Sequence, residues 1–215
     1  MDTESAVYLE KGLERLGLKE EKIRTRCYLF LQELERWNSR FSFVHDTGKD
    51  LVVRHLLDCL AGLSIFASFN PTSIADLGSG AGFPGIPLAV GLPDVSFTLI
   101  EPSRKRAAFL KSVQSLLGLS NVRIWETNLE SLPHHLKPED RFFCITFRAF
   151  TPLTPKKLKQ MFPLLLEKGF ILAYKGKREI LEQEVRIATP GYKVNIIPLH
   201  VPFLEEERHL LWISR

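Results

Sequence analysis

The sequence Asp-Leu-Gly-Ser-Gly-Ala-Gly-Phe-Pro-Gly occupies residues Asp76–Gly85 and decides how the chain can fold. The short run Ser73–Ala75 precedes it, and the apolar run Ile86–Val90 follows it. A glycine-rich surface linker would not lie between two such runs, whereas the order strand, tight turn and helix explains both. Glycines let the backbone approach a ligand closely, and the N-terminus of a helix directs N–H groups at it. The stretch therefore predicts a nucleotide-binding loop.

Two kinds of cofactor are compatible with this loop. Gly80–Gly85 matches the dinucleotide pattern G-x-G-x-x-G. Starting from Asp76, the stretch is acidic-x-Gly-x-Gly-x-Gly, the form associated with S-adenosylmethionine (SAM). A carboxylate two residues before Gly78 would repel a pyrophosphate, but it would attract the ammonium and sulfonium groups of SAM. The charge favours SAM, and a dinucleotide remains the alternative.

The composition is that of an ordinary globular protein with a mildly basic surface. The chain has 215 residues, of which 45% are hydrophobic and 25% charged, and a formal net charge of +4. This charge is compatible with RNA or another polyanion as partner. Three widely separated cysteines in apolar contexts (Cys27, Cys59 and Cys144) suggest reduced thiols and a cytoplasmic location. We expect no signal peptide, and we expect no apolar run to approach the roughly 20 residues of a membrane span.

The first 70 residues have helical periodicity. We predict helices at about residues 5–17, 19–37 and 51–66. Trp37 falls on the apolar face of the second helix, so a core role is favoured over base stacking. The third helix carries Arg54, His55 and Asp58 among leucines. Because polar groups on such a helix need partners, these residues either face a cleft or form ordinary salt links.

After residue 70, short β-like runs alternate with helical ones, which is typical of a parallel α/β sheet. We predict strands at about residues 73–77, 95–101, 122–125, 142–148, 169–175, 192–201 and 209–214. Helices are predicted at about residues 84–91, 104–117, 155–168 and 177–188, with Gly169 as the stop signal of the third. The loop Pro202–Arg208 is too short for a parallel crossover, so the last strand should be antiparallel.

The predicted fold class is therefore α/β, a Rossmann-like (class I) SAM-dependent methyltransferase with a seven-stranded, mostly parallel sheet. We expect an N-terminal helical extension (residues 1–70) packed on a SAM-binding core (residues 71–215), together forming one compact unit.

Candidate site residues follow from the rule that ligands bind outside the carboxyl ends of parallel strands. Glu101 ends the second strand, about 20 residues after the glycines, where a carboxylate can hold ribose hydroxyls. Leu129 and Glu130 follow the third strand and could flank an adenine. Arg148 and Lys175 end the fourth and fifth strands, beside the methyl donor and acceptor.

Five groups of residues together resemble a known family: Asp76–Gly85, Arg54–Asp58, Arg148–Phe150, Lys175-Gly176 and Glu207–Leu210. The family is the bacterial small-subunit ribosomal RNA guanine-N7 methyltransferases, called RsmG or GidB. The Phe-Pro-Gly-Ile-Pro-Leu continuation of the loop is more specific than a general SAM motif, and the resemblance runs from about Trp37 to the C-terminus. The chain departs from the family pattern at Ser42-Phe43-Val44, where Asn-Leu-Thr is usual, and at Asn128, where an arginine is usual.

The resemblance implies SAM as cofactor and N7 of one guanine in small-subunit (16S) ribosomal RNA as methyl acceptor. It places cofactor contacts at Gly78, Phe83, Leu129, Glu130 and Arg148. It implies RNA or acceptor placement by the basic residues Lys175 and Arg208. Together with the reasoning from strand ends, the candidate residues are Arg148, Lys175 and Arg208 for catalysis, and for the cofactor Asp76, Gly78, Gly80, Phe83, Glu101, Leu129, Glu130 and Arg148.

The chemistry of guanine N7 agrees with what the sequence lacks. N7 has a free lone pair and no proton, so its methylation needs alignment of the reactants and no general base. Cys144 lies inside a predicted strand, which argues against covalent attack on a pyrimidine. His134 and His135 are adjacent and not at ligand spacing, so we predict no metal site. We expect a monomer with no membrane partner. A methyltransferase for a small molecule or protein, and a nucleotide-binding module without chemistry, remain the alternatives.

Overall fold

The computed structural model of the protein describes residues 1–132, 136–137, 140–149 and 152–215. Within these ranges lie the strands β1 Ser73–Leu77, β2 Ser96–Ile100, β3 Val122–Trp125, β4 Phe142–Thr146, β5 Leu165–Lys175, β6 Lys193–Leu199 and β7 Arg208–Ser214. They form one sheet in the order β3-β2-β1-β4-β5-β7-β6. Neighbouring strands from β3 to β5 run parallel, and β7 pairs antiparallel with both β5 and β6. The predicted fold class and the antiparallel last strand are confirmed.

The helices of the described residues flank this sheet. They are α1 Thr3–Arg15, α2 Glu21–Phe41, α3 Gly48–Leu51, α4 Asp58–Ala61, α5 Leu63–Ser68, α6 Gly85–Gly91, α7 Arg104–Leu117, α8 Pro155–Met161 and α9 Arg178–Ala188. A π-helical segment, Val52–Leu57, joins α3 to α4, and a short 3-10 turn, Phe162–Leu164, follows α8. π-helical turns are rare in proteins, and those that occur are often found at functional sites.

The strand β1 is buried on both faces because helices cover both sides of the sheet. Ile74 belongs to the core cluster that contains the N-terminal helices, and its neighbour Ala75 belongs to the cluster beneath α8 and α9. Successive side chains of a strand point to opposite faces, so one strand contributes to both cores. This arrangement leaves the carboxyl ends of the parallel strands as the open edge of the sheet.

The N-terminal helices contact the glycine loop and α7 through aromatic side chains. The ring of Phe30 on α2 lies 5.2 Å from that of Phe83 in the glycine loop and 6.5 Å from that of Phe109 on α7. All three side chains are at most 5% exposed. The helices before residue 70 therefore build one wall of the region into which the loop projects.

The helical stretch Gly48–Ser68 is, by length and composition alone, long and apolar enough to cross a membrane. The expectation that no apolar run approaches this length was therefore wrong. Of the most apolar 18 residues in this stretch, 61% are buried inside the protein, as expected for a core helix. Its buried members include Leu56, Leu57 and Cys59, which pack in the core shared with α1 and α2.

The predicted helix at residues 155–168 is wrong in its second half. Helix α8 ends at Met161, and β5 begins at Leu165, which pairs with Phe142. Helix propensity at these positions is overridden because the segment pairs with β4, with a register shift between Phe142 and Cys144. The predicted stop signal, Gly169, instead lies within β5. A Cβ atom there would come within 3.0 Å of the backbone oxygens of Leu166 and Phe143.

Candidate active site

The glycine loop follows β1 and is hydrogen-bonded to the end of the neighbouring strand β2. The backbone N–H groups of Gly78 and Ser79 both donate to the carbonyl oxygen of Ile100, at 2.8 and 3.2 Å. Gly80 has φ +56°, a conformation that L side chains rarely adopt, and a Cβ there would find its nearest neighbour, the Gly78 oxygen, 3.8 Å away. The missing side chain thus leaves open space at the surface of the loop, where a ligand can approach the backbone.

Asp76 lies beneath the loop. Its side chain is fully buried, and its Oδ2 accepts a hydrogen bond from the N–H of Gly85 at 3.0 Å. Its Oδ1 is buried without a hydrogen-bond partner. Burial raises the pKa of Asp76 to about 7 because the carboxylate is removed from water. In this conformation Asp76 fixes the loop to the start of α6 and does not open onto the cleft.

Glu101 connects the loop that follows β1 to the loop that follows β2. Its Oε2 accepts from the N–H of Gly80 and its Oε1 from the N–H of Ser103, each at 2.9 Å. The side chain is 3% exposed. Each carboxylate oxygen has a second lone pair, so Glu101 can still accept from a ligand hydroxyl. The parallel pairing of β1 and β2 explains why two residues so far apart in sequence meet here.

A cleft of about 200 Å³ opens beside Glu101. Ile100 and Leu129 supply apolar walls, Glu101 the carboxylate, and Glu130 an exposed rim. The full lining is Leu77, Gly78, Ile100, Glu101, Pro102, Arg106, Thr127, Asn128, Leu129 and Glu130. This set contains the predicted residues Gly78, Glu101, Leu129 and Glu130. Arg106, in the first turn of α7, also lines the cleft and was not among the predicted site residues, because nothing in its local sequence places it at a ligand.

The residues of this cleft, which we call the adenosine cleft, fit an adenosine-containing cofactor with a cationic methionine end. Apolar side chains can flank a base, and Glu101 can accept from ribose hydroxyls. The Oδ1 of Asp76 lies buried under the loop without a hydrogen-bond partner. Asn128 is part of the wall and is fixed there, because its Oδ1 accepts from the N–H of Ser131 at 2.8 Å.

A second cleft of about 360 Å³ lies across the ends of β4, β5 and β7. It brings together the three predicted catalytic residues Arg148, Lys175 and Arg208. The remaining lining residues are Asp58, Phe147, Ala149, Tyr174 and Gly176. Its lining is basic and aromatic, and it lies on the side of β1 away from the adenosine cleft. We call it the acceptor cleft.

Arg148 is held in the acceptor cleft by residues of the stretch predicted as the helix 51–66. Its guanidinium donates to His55 Nδ1 at 2.6 Å, to the Asp58 carboxylate at 3.3 Å and to the Arg54 carbonyl at 3.1 Å. It lies 5.2 Å from the centre of the Phe83 ring. The predicted cofactor residue Phe83 is 5% exposed and packs against this guanidinium.

The contacts of His55 define its tautomer. Because Nδ1 accepts from Arg148, Nε2 carries the proton and donates to Asp46 Oδ2 at 2.8 Å. The pKa of His55 is lowered, first by burial and then by the charge of Arg148. The sequence left open whether Arg54, His55 and Asp58 face a cleft. The structure places Asp58 in the acceptor cleft and His55 behind Arg148.

Asp58 and Glu184 anchor the basic side chains. Asp58, 2% exposed, lies between Arg148 and Arg208, with its Oδ1 3.4 Å from Arg208 Nε. Burial raises the pKa of Asp58, and the two arginines oppose that rise. Lys175 Nζ lies 2.6 Å from Glu184 Oε1 on α9. Sequence reasoning missed Glu184, because its pairing depends on how α9 packs against β5.

The structure gives no sign of a metal or thiol mechanism within the part of the chain that it describes. No group of three or more His, Cys, Asp or Glu side chains could hold a metal there. His134, His135 and Phe150 lie outside the described residues. Cys144 is fully buried inside β4, and burial raises its pKa, so it is not a nucleophile.

The sheet order, the glycine loop and the adenosine cleft define a class I, Rossmann-like SAM-dependent methyltransferase. Solved structures share this fold. A putative O-methyltransferase from Klebsiella pneumoniae superposes with a TM-score of 0.63 at 17% identity, covering 96% of both chains. An O-methyltransferase from Bacillus cereus in complex with SAH gives a TM-score of 0.61 at 17% identity over 86% of this chain and 90% of that one.

Sequence comparison identifies the family. The family model described as rRNA small subunit methyltransferase G (GidB) matches residues 24–211, and the chain belongs to this family. A relative from Treponema pallidum (strain Nichols), named ribosomal RNA small subunit methyltransferase G, is 43% identical over 86% of this chain and 82% of its own length. A relative of the same name from Coxiella burnetii (strain Dugway 5J108-111) is 37% identical over 96% of both chains. The cofactor is SAM, and the enzyme is a methyltransferase.

Proposed function

We propose that the protein transfers the methyl group of SAM to N7 of a specific guanine in small-subunit (16S) ribosomal RNA. The observation that carries the proposal is the acceptor cleft, in which Arg148, Lys175 and Arg208 converge beside the cofactor loop of a chain in this family. A basic cleft with aromatic walls suits a nucleotide, because phosphate and guanine oxygens accept hydrogen bonds and rings pack against a base.

The acceptor cleft has no group poised to remove a proton, among the residues described. Asp58 is committed to two arginines. The hydroxyl of Tyr174 donates to the carbonyl oxygen of Cys59 at 2.6 Å, and burial raises its pKa well above the usual value. Guanine N7 carries no proton, so its methylation needs none removed. An exocyclic amine would lose a proton on methylation, and this cleft offers no evident base for it.

The residues act by positioning. When bound, SAM would supply an electrophilic methyl group on a sulfonium, and the electrons of the broken carbon–sulfur bond would stay on sulfur. Arg148, fixed by His55 and Asp58, stands between the cofactor loop and the acceptor cleft and touches both. Lys175 and Arg208 contact the incoming nucleotide. The cofactor would be held directly by Gly78, Gly80, Glu101, Leu129 and Glu130. Asp76 and Phe83 would act on it through the loop and Arg148. Alignment of N7, methyl carbon and sulfur then supplies the rate enhancement.

We further infer that the enzyme acts as a monomer in the cytoplasm, where ribosomal RNA and reduced thiols coexist. Its three cysteines are free and buried. Residues 1–70 form the helical extension and residues 71–215 the methyltransferase core. The extension supplies Asp58 and His55 to the site, so the core alone would leave Arg148 without its partners.

Mapping of N7-methylguanine in small-subunit ribosomal RNA tests the function. RNA from cells that lack this protein should lose one N7-methylguanine, and the wild-type gene should restore it. Arg208→Ala should restore it poorly, because the acceptor cleft loses a cation, while Arg186→Ala, an exposed arginine on α9, should restore it fully. If every N7-methylguanine persists without the protein, the proposed function is wrong.

A further inference from the structure

A second site lies on α2, away from both clefts described above. Arg36, Trp37, Arg40 and Phe41 line a surface pocket of about 230 Å³. The ring of Phe41 stacks on that of Phe43, with centroids 5.7 Å apart and planes 14° from parallel. The ring of Trp37 lies 5.6 Å from Phe41 and 6.3 Å from Phe43. We call Trp37, Phe41 and Phe43, with the cations Arg36, Arg40 and Lys105, the α2 platform.

Hydrogen bonds fix the indole ring of Trp37 and the turn that carries Phe43. Trp37 Nε1 donates to Glu33 Oε1 at 2.8 Å, which satisfies the only polar atom of the indole. The Asn38 side chain holds Val44, just after Phe43, through two hydrogen bonds: it accepts from the Val44 N–H at 3.0 Å and donates to the Val44 carbonyl at 2.8 Å. Ser42 ends α2 with φ +49°, which turns the chain so that Phe43 returns against Phe41. The aromatic faces are therefore preorganised without a ligand.

Phe41 and the cations of the platform face solvent. Phe41 is 40% exposed, so part of its ring is available to a ligand. Arg36 is 69% exposed, and its pair with Glu33 fixes its direction. Lys105 Nζ lies 5.4 Å from the centre of the Phe41 ring. Arg40 is exposed and makes no hydrogen bond or ion pair with any residue that the structure describes. The surface therefore combines exposed ring area with an excess of positive charge.

Helix α7 connects the platform to the cofactor cleft. Its first turn contains Arg104, Lys105 and Arg106 and no acidic residue. Lys105 faces the platform, and Arg106 lines the adenosine cleft. Cations at a helix N-terminus oppose the helix dipole, and an anion bound there would relieve this cost. A single-stranded RNA that reaches the active site along this surface would meet both the first turn of α7 and the platform.

We propose that the α2 platform binds a nucleotide of single-stranded RNA outside the acceptor cleft, with its base stacked against Phe41 and Trp37. Its phosphate contacts Arg40 and Lys105. Rings with adjacent arginines are the usual surface for an unpaired base, because every base has a face that stacks while its phosphate needs a cation. The inference rests on the proposed function, since this nucleotide belongs to the same RNA that is methylated.

Tryptophan fluorescence tests the stacking directly. The chain has three tryptophans, so Trp125→Phe with Trp212→Phe leaves Trp37 as the sole reporter. Titration with a short single-stranded oligoribonucleotide should quench Trp37. In this background Phe41→Ala should weaken binding at least about five-fold, as loss of a stacking contact implies. The matched control is Tyr28→Ala, which removes another exposed aromatic ring of α2 (37% exposed) and should bind as before.

Charge reversal tests the phosphate contact on the unaltered chain. Arg40→Glu should weaken binding to the small ribosomal subunit or its RNA and make the dependence on salt shallower, because fewer counterions are released. The control is Arg186→Glu on α9. SAM affinity measured by calorimetry should be the same in all variants, which shows that they are folded and that the cofactor site is intact.

The two readouts make the proposal refutable. Absence of Trp37 quenching, or equal binding by the Phe41→Ala and Tyr28→Ala variants, overturns it. If Phe41→Ala weakens binding to the assembled subunit but not to the oligoribonucleotide, the platform contacts a ribosomal protein and the proposal is wrong. Persistence of N7-methylguanine in cells without the protein would refute the proposed function alone, because the quenching assay needs no methylation site.

Discussion

At the scale of single residues, the carboxylates of the two clefts and the glycine loop bind groups of the protein itself. Asp76 fixes the loop to α6, Glu101 joins two loops, and Asp58 neutralises two arginines. The sequence predicted Asp76 as a partner for the cations of SAM. Its complete burial changes how it acts, because a buried side chain that is hydrogen-bonded to Gly85 influences the cofactor through the loop it positions.

The raised pKa of Asp76 predicts a specific dependence of stability on pH. Between its unfolded value of 3.8 and about 7, folded Asp76 holds a proton that the unfolded chain has released. The folded state therefore binds more protons in this window, and stability falls as pH rises. Asn at this position does not titrate. The free energy of unfolding of Asp76→Asn, relative to wild type, should increase from about pH 4 to pH 7, by up to about 4 kcal/mol, and then level off.

Urea denaturation of the cofactor-free enzyme at several pH values measures this difference. Asp94→Asn, which removes an exposed carboxylate, is the control for the general effect of losing one negative charge. A difference between Asp76→Asn and wild type that stays constant from pH 4 to pH 8 would contradict the assignment of a raised pKa to Asp76.

At the scale of elements, strand pairing decides what local patterns cannot. Residues 155–168 have a helical pattern, yet Leu165 begins β5 because Phe142 of β4 offers it a partner. Gly169 is needed where the register of these strands shifts, since a side chain would meet backbone oxygens at 3.0 Å. Strand β5 in turn places Lys175 in the acceptor cleft, so this pairing affects the site.

Gly169→Ala should therefore destabilise the protein although it adds one methyl group. Backbone atoms on both strands must move to admit it, and overpacking of this kind costs about 1–3 kcal/mol. Lys168→Ala, at the adjacent exposed position, should change stability by less than about 0.5 kcal/mol. Urea midpoints measure both, and equal midpoints for the two variants would show that the strands absorb the extra methyl group.

At the scale of the whole molecule, the N-terminal extension and the core share one interior. Phe30 of α2 packs on Phe83 and Phe109, and the π-helical segment presents His55 to Arg148. Neither segment buries its apolar surface alone. We infer that residues 1–70 and 71–215 fold as one cooperative unit, with the cofactor loop at their junction.

Thermal unfolding should consequently show a single transition. The melting curve followed by near-ultraviolet circular dichroism should coincide with that followed by far-ultraviolet circular dichroism, and SAM should shift both by the same amount. Leu34→Ala, which opens a cavity in the extension, should lower the one transition and not create a second. Two separate transitions, with only one sensitive to SAM, would show that the extension and core are independent.

The sequence by itself determined the fold class, the cofactor loop and the strand ends that carry Glu101, Leu129, Arg148 and Lys175. Those features depend on local periodicity, on glycine and on the order of elements, all of which are written in neighbouring residues. Only the tertiary structure decided which charges meet. Asp58 and Arg148 are 90 residues apart in sequence, and the platform on α2 needs Lys105 from α7. Such contacts depend on how helices pack on the sheet, so no single stretch of sequence specifies them.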